Sequence, residues 1–407
     1  MGGRSILSWV FTLSACAILA IGRIYDERLS ILDVNFSVII SVLYLFSALA
    51  ILVTISSLSI NKTKFIFYLF YFSCLVMTPI LWIFFGVNGY GTEKYFNFLL
   101  IIIPISIIIL EKYELKDVFY ILLILVGVSC FLALLALFGL ASSDRVDGRM
   151  AALGGGPIVF ARWMGLGLIV LFFMPLKNKK LYKYIMIGVF FILALASGSR
   201  GPILSLFVTF SIFVFLNFNR VFVKLLVSIL FVISMLFVSG AGKQISEFGG
   251  FDRVFMNISK KGGSKQSTGA RMDLALGSLV LFQNYPLGVG AGNWKSTVND
   301  IRPDHLIKLE YPHNLFFEVG NEYGIFVLLI LIFTLLYVAS MSYKKMVKYR
   351  EHTTLYPVLF YLFIFFFLNS LVSGMINDSR ILFVIMSMIL ITKPLIIAEN
   401  KKQSFLL

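Results

Sequence analysis

The chain is written in long apolar runs separated by short polar ones. Runs long enough to cross a bilayer fall at 5–22, 36–59, 65–86, 96–111, 117–140, 157–176, 182–197, 201–218, 221–240, 313–341, 354–374 and 379–398. Several lie near the lower limit of about 17 residues for a spanning helix. The runs show no strand period and no internal repeat. The pattern therefore predicts an all-α polytopic integral membrane protein with about 12 transmembrane helices. The first run has no small-residue cleavage site and more spans follow it, so it reads as a membrane helix rather than a leader.

The one long polar interruption divides the chain into three. Residues 1–240 hold helices 1–9, residues 241–312 form a long loop, and residues 313–407 hold helices 10–12 and a tail. Within the loop, SKKGGSKQSTG (259–269) reads as flexible and polar. A helix is expected to begin with Ser267 or Thr268 as its N-cap and to run to about Asn284, stopped by Pro286. It is too short and too often interrupted to span, and reads as lying on the membrane or over a site.

Composition supports this reading and charge orients it. Of 407 residues, 59% are hydrophobic and 14% charged, too apolar for a soluble domain. The net charge of +15 belongs to topology rather than to nucleic-acid binding. Short loops on one side carry Lys62, Lys64, Lys112, Lys116, Lys177, Lys179, Lys180, Lys183, Arg220, Lys224, Lys344, Lys345, Lys348 and Arg350. Those opposite carry only Arg23, Arg28, Lys94, Arg145, Arg149, Arg200 and Arg380. The bias puts both termini in the cytoplasm and the long loop outside. Cys16, Cys74 and Cys130 all lie in apolar runs, and with three histidines in the chain neither a disulfide framework nor a Cys/His metal centre is expected.

Candidate chemistry gathers on the outward side. His313 follows Pro312 at the entrance of the tenth run. It can be a helix-entrance residue with Asn314 as cap, or a general base for a hydroxyl. Asn314, Glu318, Asn321 and Glu322 share one helical face, which is costly in a membrane helix unless it lines a cavity or finds partners.

Arg200 sits in the tight SGSRGP turn, and Arg271 is expected in the first turn of the loop helix, where backbone N–H groups would also favour an anion. Against these stand a lipid-phosphate contact for Arg200 and a solvated side chain for Arg271. In GRMAALGGGPIVFARWM (148–164) Arg149 precedes the three glycines and Arg162 lies about a turn inside the helix, and interfacial snorkelling accounts for either. Together the four exceed what topology alone would place there, and arginine suits diphosphate.

Gly288, Gly290 and Gly292 are more economically explained by close backbone approach than as a nucleotide loop. Trp294 reads as an interface anchor or a sugar-stacking face. Asp300 and Asp304 read as solvated rather than metal-binding, and Asp378 with Arg380 as a local ion pair.

PLGVGAGNW (286–294) followed by PHNLFFEVGNEYGI (312–325) resembles the core of the O-antigen ligase and polymerase superfamily. SGSRGP (197–202) resembles its upstream arginine motif, and RMAALGGGPIVFARW its arginine–glycine stretch, with Ile158 where the family often has Asn. The resemblance implies a bacterial inner-membrane glycosyltransferase acting at the periplasmic face on undecaprenyl-diphosphate-linked sugars. It implies no cofactor and no metal, with inverting displacement at the anomeric carbon. Arg200 and Arg271 would hold the diphosphate and His313 would meet the acceptor hydroxyl. Arg149, Arg162, Asn314 and Glu318 would bind substrate. Implied partners are the lipid-linked oligosaccharide as donor and acceptor, membrane lipid, and a chain-length regulator protein.

The look of the loop and the PHNLFFE stretch favours the polymerase over a ligase that uses lipid A–core as acceptor. A flippase for lipid-linked oligosaccharides would need polar residues along a path through the membrane. Here they gather at one face.

Overall fold

The computed structural model describes residues 5–26, 29–31, 34–59, 61–139, 150–151, 156–175, 180–217, 263–351 and 353–391. Every apolar run within them carries a helix; the run 221–240 and Arg149 lie outside the described residues. Among the described residues, seven helices are long and apolar enough to cross a membrane: Phe36–Val53, Lys62–Phe85, Gly89–Lys112, Leu115–Leu137, Gly156–Phe173, Ile325–Tyr349 and Leu355–Val372. Three shorter apolar helices, Ile6–Ile21, Leu181–Ala196 and Arg200–Leu216, accompany them. The chain is a helical membrane protein. A ladder of two residues per strand, β1 (Ser30–Ile31) with antiparallel β2 (Val34–Asn35), interrupts the helices.

The chain forms two compact units: 1–128, 268–363 and 370–407 make the first, and 129–267 with 364–369 the second. In the first, α1 (Ile6–Ile21) lies along α2 (Phe36–Val53). The helix α3 (Lys62–Phe85) is followed by α4 (Gly89–Asn97), a π-turn at Phe98–Ile102 and α5 (Ile103–Lys112). The π-turn precedes Pro104, which has no N–H to offer the Leu100 carbonyl. Tyr44 of α2, fully buried, supplies the missing donor: its hydroxyl donates to the Leu100 and Ile101 carbonyls at 3.0 and 3.1 Å. Pro79 inside α3 likewise leaves the Leu75 carbonyl without a donor, and the Tyr95 hydroxyl of α4 reaches it at 3.3 Å. In lipid, unsatisfied backbone groups are expensive, so two prolines dictate two cross-helix tyrosine contacts.

In the second unit, α6 (Leu115–Leu137) contributes its last residues, and α7 (Gly156–Phe173) packs on α8 (Lys180–Ala196) and α9 (Arg200–Leu216). Gly167 permits the contact with α8, where a Cβ would collide with the Phe190 ring at 2.5 Å, and Gly165 likewise makes room for the Phe365 ring at 2.4 Å.

The long loop ends in α10 (Gly263–Asn284) and α11 (Trp294–Ile301). The expected single span at 313–341 is two helices, α12 (Leu315–Tyr323) and α13 (Ile325–Tyr349). Gly324 separates them with φ 89° and ψ 172°, and its backbone leaves no room for a side chain: a Cβ would lie 2.3 Å from the Leu287 carbonyl oxygen. The last helices are α14 (Leu355–Val372) and α15 (Arg380–Leu390).

Candidate active site

The site is assembled in the first unit around α12. Its far end is bound by the glycine loop. The Val289 and Gly290 amides donate to the Asn321 and Glu322 carbonyls at 2.9 Å each, and the Ile325 amide donates to the Pro286 carbonyl at 2.8 Å. The first two serve carbonyls at the end of α12 that the break at Gly324 would otherwise strand, and the third ties the start of α13 back to the loop. Gly288, Gly290 and Gly292 have φ of 93°, 86° and 82°; a Cβ on Gly288 would sit 2.7 Å from the Gly324 nitrogen and one on Gly292 2.3 Å from the Gly91 Cα. Close backbone approach is what the glycines provide.

The loop is also fixed from α3 and α4. The Trp82 indole N–H donates to the Ala291 carbonyl at 3.0 Å, and Asn88, the N-cap of α4, donates to the Gly292 carbonyl and to Asn293 Oδ1 at 3.0 and 2.7 Å.

Below this loop lies a buried ion cluster. Lys94 of α4, 2% exposed, places its ammonium between Glu318 and Glu322 of α12, both 0% exposed. It pairs with Glu318 and, at 2.5 Å, with Glu322 Oε2. The Ile376 amide donates to Glu318 Oε2 at 2.7 Å, and the Asn377 side chain donates to the Lys94 carbonyl at 3.0 Å. The turn between α14 and α15 is thereby joined to the same cluster. Arg380 anchors that turn further, donating to the Leu19 and Asn377 carbonyls at 2.7 and 3.1 Å and facing Asp378 at 3.8 Å, the local ion pair expected from sequence.

At the near end of α12, Asn314 is the N-cap. Its Oδ1 accepts from the Phe316 and Phe317 amides at 2.9 and 3.1 Å, and its Nδ2 donates to the Leu371 carbonyl at 2.8 Å. His313, just before it, has φ 57°, the one non-glycine residue with positive φ among the described residues. A non-glycine residue in the left-handed region is uncommon, although histidine adopts it more readily than a β-branched residue does. Its ring is half-buried and lies 4.3 Å, centroid to centroid, from Tyr311.

Residues 185–332 match the family model described as O-Antigen ligase. The match supports the O-antigen polymerase and ligase superfamily for this chain. No curated protein matches the chain. The O-antigen ligase match runs from α8 into α13, so it includes SGSRGP, the glycine loop and all of α12.

Several expected residues take places other than those expected. Arg271 is exposed, but α10 begins at Gly263, so Arg271 stands about two turns inside rather than in the first turn. Helix-terminal N–H groups therefore do not assist it. The polar SKQSTG stretch continues into the helix instead of capping it. Glu318 faces Lys94 rather than an open cleft. Arg162 does not snorkel: it is 5% exposed in α7, with Nη2 3.4 Å from the Asn369 carbonyl, in the second unit. Trp294 is neither an interface anchor nor a free stacking face. It is fully buried in the loop core with Leu274, Leu281 and Val298, and its indole donates to Ser278 Oγ at 3.1 Å.

Arg200 is exposed at the first position of α9, after a three-residue turn with Gly198 at φ 62°. The Met150 amide reaches the Ala196 carbonyl beside that turn at 3.4 Å. Asp300 and Asp304 are exposed, and among the described residues no group of three or more His, Cys, Asp or Glu side chains is placed to hold a metal.

Lys94 was missed by sequence reasoning, which counted it among the outward loop cations. The signal was the two carboxylates on one face of α12, which needed a cation from elsewhere in the chain.

Proposed function

We propose that this protein is an O-antigen polymerase of the bacterial inner membrane. It would transfer a glycan from undecaprenyl diphosphate to the next lipid-linked repeat unit at the periplasmic face. The observation that carries this reading is the conformation of His313. The imidazole stands half-buried at the entrance of α12, on a backbone in the left-handed region. The helix behind it is locked by the glycine loop and the Lys94 cluster. Rigid support of a half-exposed base is what positioned proton transfer requires.

In the reaction the acceptor hydroxyl oxygen attacks the anomeric carbon from the face opposite the diphosphate. The new C–O bond forms as the old one breaks. The hydroxyl proton passes to His313, and the bonding pair leaves with the diphosphate oxygen. The diphosphate is already a good leaving group, so the chief demand is for positive charge as it departs. Arg271, exposed on α10 of the same unit, is the proposed source, and Arg200 is a candidate from its motif alone. Asn314 acts by holding the backbone beside His313.

The ligase reading shares this donor chemistry but transfers to lipid A–core, and the matched family's description names that activity. The surface-polysaccharide profile of a strain lacking the gene separates the two. Core bearing a single repeat unit is expected. Bare core, with long polymer stranded on the lipid carrier, would make the protein the ligase.

A further inference from the structure

A cavity that His313 does not line opens on the first unit. It holds about 640 Å³ and is lined by Arg23, Ile24, Tyr25, Asp26, Glu93, Phe96 and Asn97. That is the size of a small-molecule cleft. Its floor is fixed. The Asp26 amide donates to Ser37 Oγ at 2.8 Å, and Asn35 Nδ2 donates to the Asp26 carbonyl at 3.0 Å. Asn97 lines the cavity while only 8% exposed, and its side-chain amide has no hydrogen-bond partner among the described residues. An amide that lines the cavity with no partner of its own can both donate to and accept from a ligand. Tyr25 and Phe96, 60% and 47% exposed, add two large aromatic faces to the lining. Arg23 and Glu93 sit 4.0 Å apart, each about half exposed, a weak pair that a ligand can part.

The position of the cavity links it to α12. Glu93, Phe96 and Asn97 share one face of α4. Lys94, about 100° round the same helix, reaches Glu318 and Glu322. The cavity and α12, the helix that His313 precedes, thus adjoin neighbouring faces of one short helix.

We propose that this cavity is a carbohydrate subsite. It would hold sugar residues of the lipid-linked glycan remote from the bond being formed. The chemistry is that of an uncharged polyhydroxylated ring: hydroxyls donate to the Asp26 and Glu93 carboxylates and exchange hydrogen bonds with Asn97, while the C–H faces of the ring lie on Tyr25 and Phe96. The choice of a glycan as the ligand class rests on the transferase reading above.

The test is direct binding to the full-length protein in nanodiscs. The probe is a soluble oligosaccharide released by mild acid from the producing strain's own surface polysaccharide. Saturation-transfer NMR should show the wild type binding. Asn97→Leu should bind about tenfold more weakly, the loss of one or two ligand hydrogen bonds. Tyr25→Ala, a change at an exposed loop position that does not threaten folding, should weaken binding comparably.

Equal affinity in wild type and both variants, or no binding by wild type, overturns the subsite. So does native mass spectrometry showing a phospholipid retained by wild type and released by Asn97→Leu. Binding with the expected losses, in a protein that forms no glycosidic bond from a lipid-linked donor, would keep the subsite and remove the transferase reading.

Discussion

Replacing Lys94 by methionine tests how the site is held together. The change keeps most of the side-chain volume but removes the ammonium. Glu318 and Glu322, both 0% exposed, then face each other with no cation between them. Removing one partner of a buried ion pair costs about 3–5 kcal/mol, because the remaining charge stays desolvated and uncompensated. Here two carboxylates are left, so the upper part of that range applies. Domains are stable by only about 5–15 kcal/mol. At roughly 2–4 °C per kcal/mol for domains of 150–250 residues, the melting temperature should fall by about 10 °C or more.

The assay is thermal unfolding of the purified protein in detergent. Lys94→Met combined with Glu318→Gln and Glu322→Met removes all three charges and should recover most of the loss, since apolar replacement of a whole buried cluster is often neutral. A single variant that melts with the wild type would refute the reasoning, as would a triple variant no more stable than the single one.

Four further outcomes follow from the same geometry. His313→Gly should abolish glycan transfer while melting at or above the wild-type temperature, because glycine relieves a left-handed backbone at φ 57°; normal glycan from this variant would remove His313 from the chemistry. Arg271→Ala should abolish transfer with membrane insertion intact, read by polysaccharide gel and membrane fractionation, and a normal ladder would dismiss it. Gly324→Ala should destabilise by at least about 1–3 kcal/mol in thermal unfolding, since φ is 89° and the new Cβ meets the Leu287 carbonyl; an unchanged melting temperature would contradict the break described here. Tyr44→Phe should cost about 1–3 kcal/mol in the same assay by leaving the Leu100 carbonyl without a donor, and a neutral result would mean the π-turn satisfies itself.

Much of the membrane architecture was legible because bilayer helices must be long, apolar and internally hydrogen-bonded. The glycine loop, the Asn314 cap and the Asp378–Arg380 pair were legible too, since each is local: a positive-φ turn, a cap or an ion pair is decided within a few residues. What escaped was non-local. Gly324 is one small residue inside an apolar run, and what excludes a side chain there is Leu287 of the loop packed on it. Lys94 reads as a loop cation until the fold brings in Glu322, which lies 228 residues away in sequence. Trp294 looked amphipathic because its partner Ser278 belongs to the preceding helix. The start of α10 was misplaced because SKQSTG has the composition of a linker, and helix continuation there is not decided by composition.

The central claim is that a protein with this His313-centred site makes glycosidic bonds. Turnover by the purified protein with an undecaprenyl-diphosphate-linked repeat unit as its only sugar substrate tests it most directly, with the His313→Ala variant alongside. Longer glycan on the lipid carrier and free undecaprenyl diphosphate are expected from the wild type, and neither from the variant. Movement of the lipid-linked sugar across the bilayer with no new bond, or equal turnover by the variant, would contradict the account.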